Sequence, residues 1–136
     1  MMIIVSACLA GLPCRYDGGS CPNAQVVELV AQGKALPVCP EQLGGLATPR
    51  EPVEWTGGKA VTKQGADCTA NLKRGAEIVA KLAKLVGAKE AILREGSPSC
   101  GVEWIYDGSF AGRKVPGHGL TTRRLEELGI SVRGLG

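Results

Sequence analysis

Residues 91–101 read Ala-Ile-Leu-Arg-Glu-Gly-Ser-Pro-Ser-Cys-Gly, and the rest of the chain is organised around this stretch. The apolar run that ends residues 89–93 predicts a short buried strand. Gly96 and Pro98 then end any regular structure. A carboxylate, two hydroxyls and the thiol of Cys100 therefore lie on a loop at the carboxyl end of a strand. In open α/β sheets this is the edge where ligands bind.

The same arrangement of a strand followed by a cysteine occurs twice more along the chain. Residues 2–7 form an apolar, partly β-branched run that predicts a buried parallel strand, and Cys8 follows it. Residues 35–38 predict a second short strand, which leads into Cys39-Pro40-Glu41. Because the carboxyl ends of parallel strands meet at one edge of a sheet, we expect Cys8, Cys39 and Cys100 to converge there.

Helical patterns separate these strands. Helices are predicted over residues 23–32, 67–86 and 120–128, and a last strand over residues 130–132. This alternation predicts an α/β fold: a small Rossmann-like sheet, mostly parallel, with helices on its faces, formed by one domain over residues 1–136.

Two segments carry no periodic pattern. Residues 42–58 are rich in Gly and Pro and are expected to form a long irregular loop, with Arg50 and Glu54 as solvated charges. Residues 102–119 are expected to form a hairpin or a lid. His118 stands between two glycines, which favours a turn residue over a metal ligand.

Composition excludes several classes of function. The net charge of +3 is too small to argue for nucleic-acid binding, and two Trp, two Tyr and one Phe are too few for a base-stacking surface. The apolar N-terminal run is too short for a signal peptide or a membrane span, so we expect a cytoplasmic chain that binds no membrane. Whether the chain is a monomer or a dimer is not decided by the sequence.

Six cysteines in a reducing compartment argue for metal, cluster or thiolate chemistry rather than for disulfides. Cys68 and Cys21 are interpreted as small buried hydrophobic residues. Three thiolates without a convincing histidine suit an iron–sulfur cluster or zinc. Cys14 remains open as a fourth ligand.

Several ordered motifs resemble those of the thiouracil desulfidase family. They are Ser6-Ala7-Cys8-Leu9-Ala10-Gly11, Cys14-Arg15-Tyr16-Asp17-Gly18, Val38-Cys39-Pro40-Glu41, Gly44-Gly45-Leu46 followed by Pro49-Arg50-Glu51-Pro52, Gly65-Ala66-Asp67-Cys68-Thr69, Glu95-Gly96-Ser97-Pro98-Ser99-Cys100-Gly101, Tyr106-Asp107-Gly108-Ser109-Phe110 and Gly117-His118-Gly119. The resemblance implies a [4Fe–4S] cluster held by Cys8, Cys39 and Cys100, with the fourth iron free. It also implies conversion of thiouracil to uracil and hydrogen sulfide. The carboxylate and the hydroxyl of the family's site map to Glu41 and Ser97.

A hydrolytic, non-redox mechanism follows from this resemblance. The thiocarbonyl sulfur of a small thiolated substrate would be taken by the open iron, which polarises the C=S bond. Glu41 would deprotonate a water, and Ser97 would orient the water or the ring. Ser99 would replace Ser97 if that side chain faced away.

Two other functions fit the same cysteines. A non-catalytic iron–sulfur or metal-binding sulfur carrier would need the thiols but not Glu41 or Ser97. A cluster-free thiol enzyme would use Cys100 or Cys39 as its nucleophile, and its thiol would have a lowered pKa.

Overall fold

The structure is a computed structural model, and it describes residues 2–136. The strands are β1 (Ile3–Ser6), β2 (Ala35–Val38), β3 (Val53–Thr56), β4 (Lys59–Thr62), β5 (Glu90–Arg94), β6 (Trp104–Tyr106), β7 (Lys114–Pro116) and β8 (Ser131–Leu135). The helices are α1 (Ala24–Ala31), α2 (Pro40–Leu43), α3 (Thr69–Val86) and α4 (Leu120–Glu127), and a 3₁₀ turn spans Ala7–Ala10.

A four-stranded parallel sheet in the order β2-β1-β5-β8 forms the centre of the fold. Successive residues of a strand point to opposite faces. Ile4 accordingly packs in the core cluster that contains Val79 of α3 and Leu125 of α4. Its neighbour Val5 packs in the cluster that contains Val26 of α1. Helices therefore cover both faces of the sheet, and the predicted α/β fold with a parallel sheet is confirmed.

The predicted helices are present, with local signals at their ends. The Asn23 side chain accepts a hydrogen bond from the backbone N–H of Val26 at 3.2 Å and caps α1. Asp67 accepts a bond from the N–H of Thr69 at 2.9 Å at the start of α3. No helix among residues 2–136 is both long and apolar enough to cross a membrane.

The contact between α2 and α3 fixes the segment that follows β2. A Cβ atom added at Gly75 would overlap the backbone carbonyl of Pro40, so α2 approaches α3 at a distance that only glycine permits. Asn71 also donates its side-chain N–H to the Gly44 carbonyl at 2.9 Å. The one-turn helix that carries Glu41 is thereby held against the longest helix of the fold.

The expectation of an irregular segment over residues 42–58 is wrong. This segment contains the end of α2 and all of β3, which pairs antiparallel with β4 as a hairpin. A second antiparallel hairpin, β6–β7, lies within residues 102–119, where a hairpin or a lid was expected. Strands this short carry too few residues for a period-two pattern to stand out from a loop.

Candidate active site

A cavity of about 990 Å³ opens at the carboxyl edge of the parallel sheet. One part of its wall comes from the segments that follow β1, β2 and β5, and another comes from the two hairpins. Its lining includes Cys8, Cys14, Cys39, Glu41, Arg50, Glu54, Ser97, Cys100, Trp104, Tyr106 and Phe110.

Each of the three cysteines expected to converge lines this cavity. Cys8 lies in the 3₁₀ turn that continues β1, Cys39 directly follows β2, and Cys100 lies on the loop after β5. Cys8 and Cys100 are buried and Cys39 is half-buried, and all three are free thiols. Across residues 2–136, no three His, Cys, Asp or Glu side chains are grouped closely enough to hold a single metal ion.

Cys14 is the fourth thiol of the cavity. It is buried, and it lies in the same core cluster as Cys8, against which Cys39 packs. The Sγ atom of Cys39 also lies 3.8 Å from the Cys14 carbonyl oxygen. Cys68 instead packs in the cluster formed with Val53, Ala60 and Leu72. Neither Cys68 nor Cys21 is part of the cavity wall.

The environments of Cys14, Cys39 and Cys100 favour the protonated forms of these thiols. Burial raises the pKa of Cys100 to about 12. The hydrogen bond with Cys14, together with burial, raises the pKa of Cys39 far above its usual range. For Cys14 the bond with Cys39 lowers the pKa, but the bond with Cys8 and burial outweigh it and raise the pKa to about 11. A cluster-free thiolate nucleophile needs a lowered pKa, so these environments count against that function.

Glu41 and Ser97 are brought together from two different loops. The Ser97 hydroxyl donates a hydrogen bond to Oε2 of Glu41 at 3.3 Å. Ser97 Oγ also accepts bonds from the backbone N–H groups of Ser99 and Cys100, at 3.1 and 3.0 Å. The hydroxyl hydrogen is therefore directed at the carboxylate. Ser99 is fully buried and is not part of the cavity wall.

The Arg50 side chain is largely buried at this site, and the expectation of a solvated charge is wrong. Its side chain is 9% exposed, and its Nε donates to Oε1 of Glu41 at 3.0 Å. Nη2 donates to the Cys14 carbonyl at 3.0 Å, and Nη1 donates to Thr48 Oγ1 at 2.8 Å. The guanidinium thus joins the Glu41 segment to the Cys14 segment. The sequence signal that could have found Arg50 is its place in the motif Pro49-Arg50-Glu51-Pro52, which belongs to the family resemblance.

Glu54 is also buried, so its interpretation as a solvated charge is wrong as well. Its side chain lines the cavity and accepts hydrogen bonds from the backbone N–H groups of Gly108 and Phe110, at 3.0 and 3.2 Å. Glu95 acts in the same way, since it accepts bonds from the N–H groups of Val102 and Glu103 at 2.8 and 3.0 Å. Backbone N–H groups more than fifty residues away satisfy Glu54, and no sequence pattern signals such a pairing.

Comparisons with known proteins match this chain to one family profile, one curated relative and one solved structure. The profile of the family described as 2-thiouracil desulfurase matches residues 3–134. The Bacillus subtilis (strain 168) protein YbbK, described as uncharacterized, is 43% identical over 141 residues, which cover 96% of this chain and 93% of YbbK. A solved structure named [4Fe-4S]-dependent thiouracil desulfidase TudS is similar with a TM-score of 0.93 at 48% identity, over 98% of this chain and 89% of that one.

Proposed function

This chain belongs to the 2-thiouracil desulfurase family, and from that membership we propose that it hydrolyses the C=S bond of a thiolated pyrimidine. Water supplies the oxygen that replaces sulfur on the ring carbon. The sulfur leaves with two protons as hydrogen sulfide, so thiouracil yields uracil and no oxidant or reductant is consumed. The observation that carries the proposal is the shared cavity of three strand-end thiols and the hydrogen-bonded pair of Glu41 and Ser97.

The proposed cofactor is a [4Fe–4S] cluster held by Cys8, Cys39 and Cys100. A cluster binds each thiolate at a different iron, so its ligands are spread around it rather than gathered around one ion. Three free thiols from three separate loops, with no close group for a single ion in residues 2–136, fit such a cluster better than zinc. When bound, the cluster would supply a Lewis-acidic iron with affinity for the soft thiocarbonyl sulfur.

Glu41 is the proposed general base. Arg50 pairs with one of its oxygens and the Ser97 hydroxyl with the other, so the carboxylate is held in a fixed orientation at the cavity wall. A water at this position would give its proton to Glu41 as its oxygen attacks the ring carbon. The Ser97 hydroxyl gives its hydrogen to Glu41 and accepts two backbone N–H bonds, so all its hydrogen-bonding capacity is used. Ser97 would therefore act by holding Oε2 of Glu41 in place for the water.

The substitution Glu41→Gln tests the base. Its amide oxygen can still accept the bond from Arg50, but its NH₂ group then faces Ser97 and cannot take a proton from water. We expect the variant to hold the same iron and sulfide as the parent and to lose roughly 10²–10⁴ in turnover, the usual contribution of general acid–base catalysis. Ser97→Ala should lose less, because it removes only the orienting hydroxyl. The measurement is anaerobic sulfide release from 2-thiouracil and 4-thiouracil after cluster reconstitution.

The matched control is Glu51→Gln, a change at an exposed carboxylate on the cavity wall. Its turnover should equal that of the parent. Full turnover in Glu41→Gln would show that another group takes the proton. A parent with a complete cluster and no sulfide release from either thiouracil would favour the sulfur carrier.

A further inference from the structure

The tip of the β6–β7 hairpin holds an aromatic residue in an unusual backbone conformation at the cavity. Phe110 has φ of 58°, in the left-handed region that bulky residues seldom adopt. Its side chain is half-buried and lines the cavity that contains the three strand-end thiols. Such conformations persist only where the surroundings impose them, and they are concentrated at ligand-binding sites.

The surroundings that impose this conformation come from β3. Oε1 of Glu54 accepts both backbone hydrogen bonds, from Gly108 at 3.0 Å and from Phe110 at 3.2 Å. Thr56 donates its hydroxyl to the Gly108 carbonyl at 3.2 Å. A Cβ atom at Gly108 would overlap the Trp55 carbonyl, so the loop lies directly on the strand. One carboxylate oxygen therefore sets the backbone that carries the Phe110 ring.

The other aromatic residues of this hairpin already have partners. Trp104 and Tyr106 pack edge to face with ring centroids 5.4 Å apart. The Lys114 ammonium lies 4.3 Å from the centroid of Trp104. Within residues 2–136, the Phe110 ring pairs with no other aromatic ring and no cation. The Phe110 ring therefore lies at the cavity wall without an aromatic or cationic partner, on a backbone held in the left-handed conformation.

We propose that Phe110 is a specificity-determining residue whose ring packs against the flat ring of the thiolated substrate. Glu54 is the positioning residue that holds it there through the two backbone hydrogen bonds. The inference rests on the function proposed above, which supplies the heteroaromatic ligand. Offset and edge-to-face ring contacts are favourable for aromatic pairs. Because the ring stays intact during C=S hydrolysis, the contact should support substrate and transition state equally and should act on KM rather than on kcat.

Substitution of Phe110 tests the ring. Phe110→Ala should raise KM for 2-thiouracil and 4-thiouracil by roughly 5- to 100-fold, the range for loss of one base–aromatic stack. The iron and sulfide content and kcat should change little. Phe110→Tyr keeps a flat ring and should recover most of the lost affinity. Phe110→Gly relieves the positive φ but removes the ring, so it should bind as weakly as Phe110→Ala. Parental KM in Phe110→Gly or Phe110→Ala would overturn the proposal.

Substitution of Glu54 separates positioning from direct contact. Gln keeps Oε1 as the acceptor for both N–H groups, so Glu54→Gln should retain most of the affinity that Glu54→Ala loses. The double variant Glu54→Ala/Phe110→Ala should bind no more weakly than Phe110→Ala, because both changes act through the same ring. Equal losses in Glu54→Gln and Glu54→Ala would show that the carboxylate acts on the substrate itself. Thermal unfolding midpoints show whether each variant folds. If a Glu54 variant does not fold, the KM values of the Phe110 variants decide whether the proposal stands.

Binding of uracil, measured by equilibrium dialysis on the cluster-loaded parent and variants, keeps this test separate from the proposed function. Uracil has the ring without the sulfur, so its dissociation constant should rise in Phe110→Ala by the same factor as KM. If the loaded parent binds uracil but releases no sulfide, the proposed function fails and the ring contact stands. If Phe110→Ala binds uracil as tightly as the parent, the ring contact fails whatever the turnover. Glu126→Ala, a change at an exposed carboxylate of α4 outside the cavity wall, is the control.

Discussion

The two sides of the cavity are built by different means. On what we call the sheet side, Cys8, Cys39 and Cys100 follow the parallel strands β1, β2 and β5. On the hairpin side, β3–β4 and β6–β7 are joined by the hydrogen bonds of Glu54 to the Phe110 loop. The thiols follow directly on parallel strands, which hold them in place, whereas Phe110 lies on a loop, where sites commonly vary in shape. On the proposals made above, the sheet side would bind the cofactor and the hairpin side would select the substrate.

The largest expected effect is at a thiol of the sheet side. Cys39→Ala removes one of three proposed ligands, and two thiolates do not retain a cluster at an exposed site. Iron and sulfide per chain should fall to near background after anaerobic reconstitution, measured by chemical assay and by the absorption spectrum, and sulfide release should fall with them.

The matched control is Cys68→Ala, which removes a buried thiol that packs with Leu72 in another core cluster. It should retain the cluster, with only the loss of stability expected for a small core cavity. A Cys68→Ala protein without iron, or a Cys39→Ala protein with a complete cluster, would refute the assignment of the sheet side to cofactor binding.

The sequence predicted the sheet side far better than the hairpin side. Apolar runs identify β1, β2 and β5 locally, and parallel topology then places Cys8, Cys39 and Cys100 at one edge. The motif resemblance pointed to Glu41 and Ser97, although their catalytic roles remain predictions.

The sequence does not show which groups form hydrogen bonds with Glu54 and Arg50. Glu54 and Arg50 are charged residues in a Gly- and Pro-rich segment, a pattern that normally indicates solvent exposure. Glu54 pairs with the backbone N–H groups of Gly108 and Phe110, and Arg50 pairs with the Cys14 carbonyl as well as with the Glu41 carboxylate. Every residue has such backbone groups, so only the tertiary structure shows which of them satisfy a buried charge.

The second-largest effect expected from a substitution in this comparison is at Arg50, which lies where the two sides meet. Arg50→Lys keeps the charge but loses the planar fork that reaches Glu41 and the Cys14 carbonyl together. Turnover should fall by roughly 10- to 100-fold, as for the loss of one hydrogen bond to a charged group. If Arg50 acts by orienting Glu41, kcat should fall more than KM rises, and the pH profile of kcat should change. The assays are sulfide release across pH and cluster content.

Arg15→Lys is the control for that change. Arg15 also lines the cavity, but its guanidinium lies over the Tyr16 ring, 5.7 Å from the centroid. Parental turnover in Arg50→Lys would mean that Glu41 needs no guanidinium to hold its orientation. A loss confined to KM would instead assign Arg50 to substrate binding.

The smallest expected effect is at Cys14, and it decides how many thiols the sheet side contributes. The Cys14 thiol packs in the same core cluster as Cys8 and Cys39. Arg50 and the Cys39 sulfur contact the backbone carbonyl of Cys14, which Ala retains. Cys14→Ala should therefore reconstitute a complete cluster anaerobically and turn over at close to the parental rate. Its cluster should be lost several-fold faster in air, because a buried thiol that packs beside two proposed ligands has been removed. The decay of cluster absorbance after exposure to air measures this loss. The control is Cys21→Ala, a change outside the cavity wall, whose cluster should decay as slowly as that of the parent.

If Cys14→Ala failed to take up iron anaerobically, the sheet side would supply four ligands. No iron would then be free for the substrate sulfur, and the sulfur carrier would become the better function.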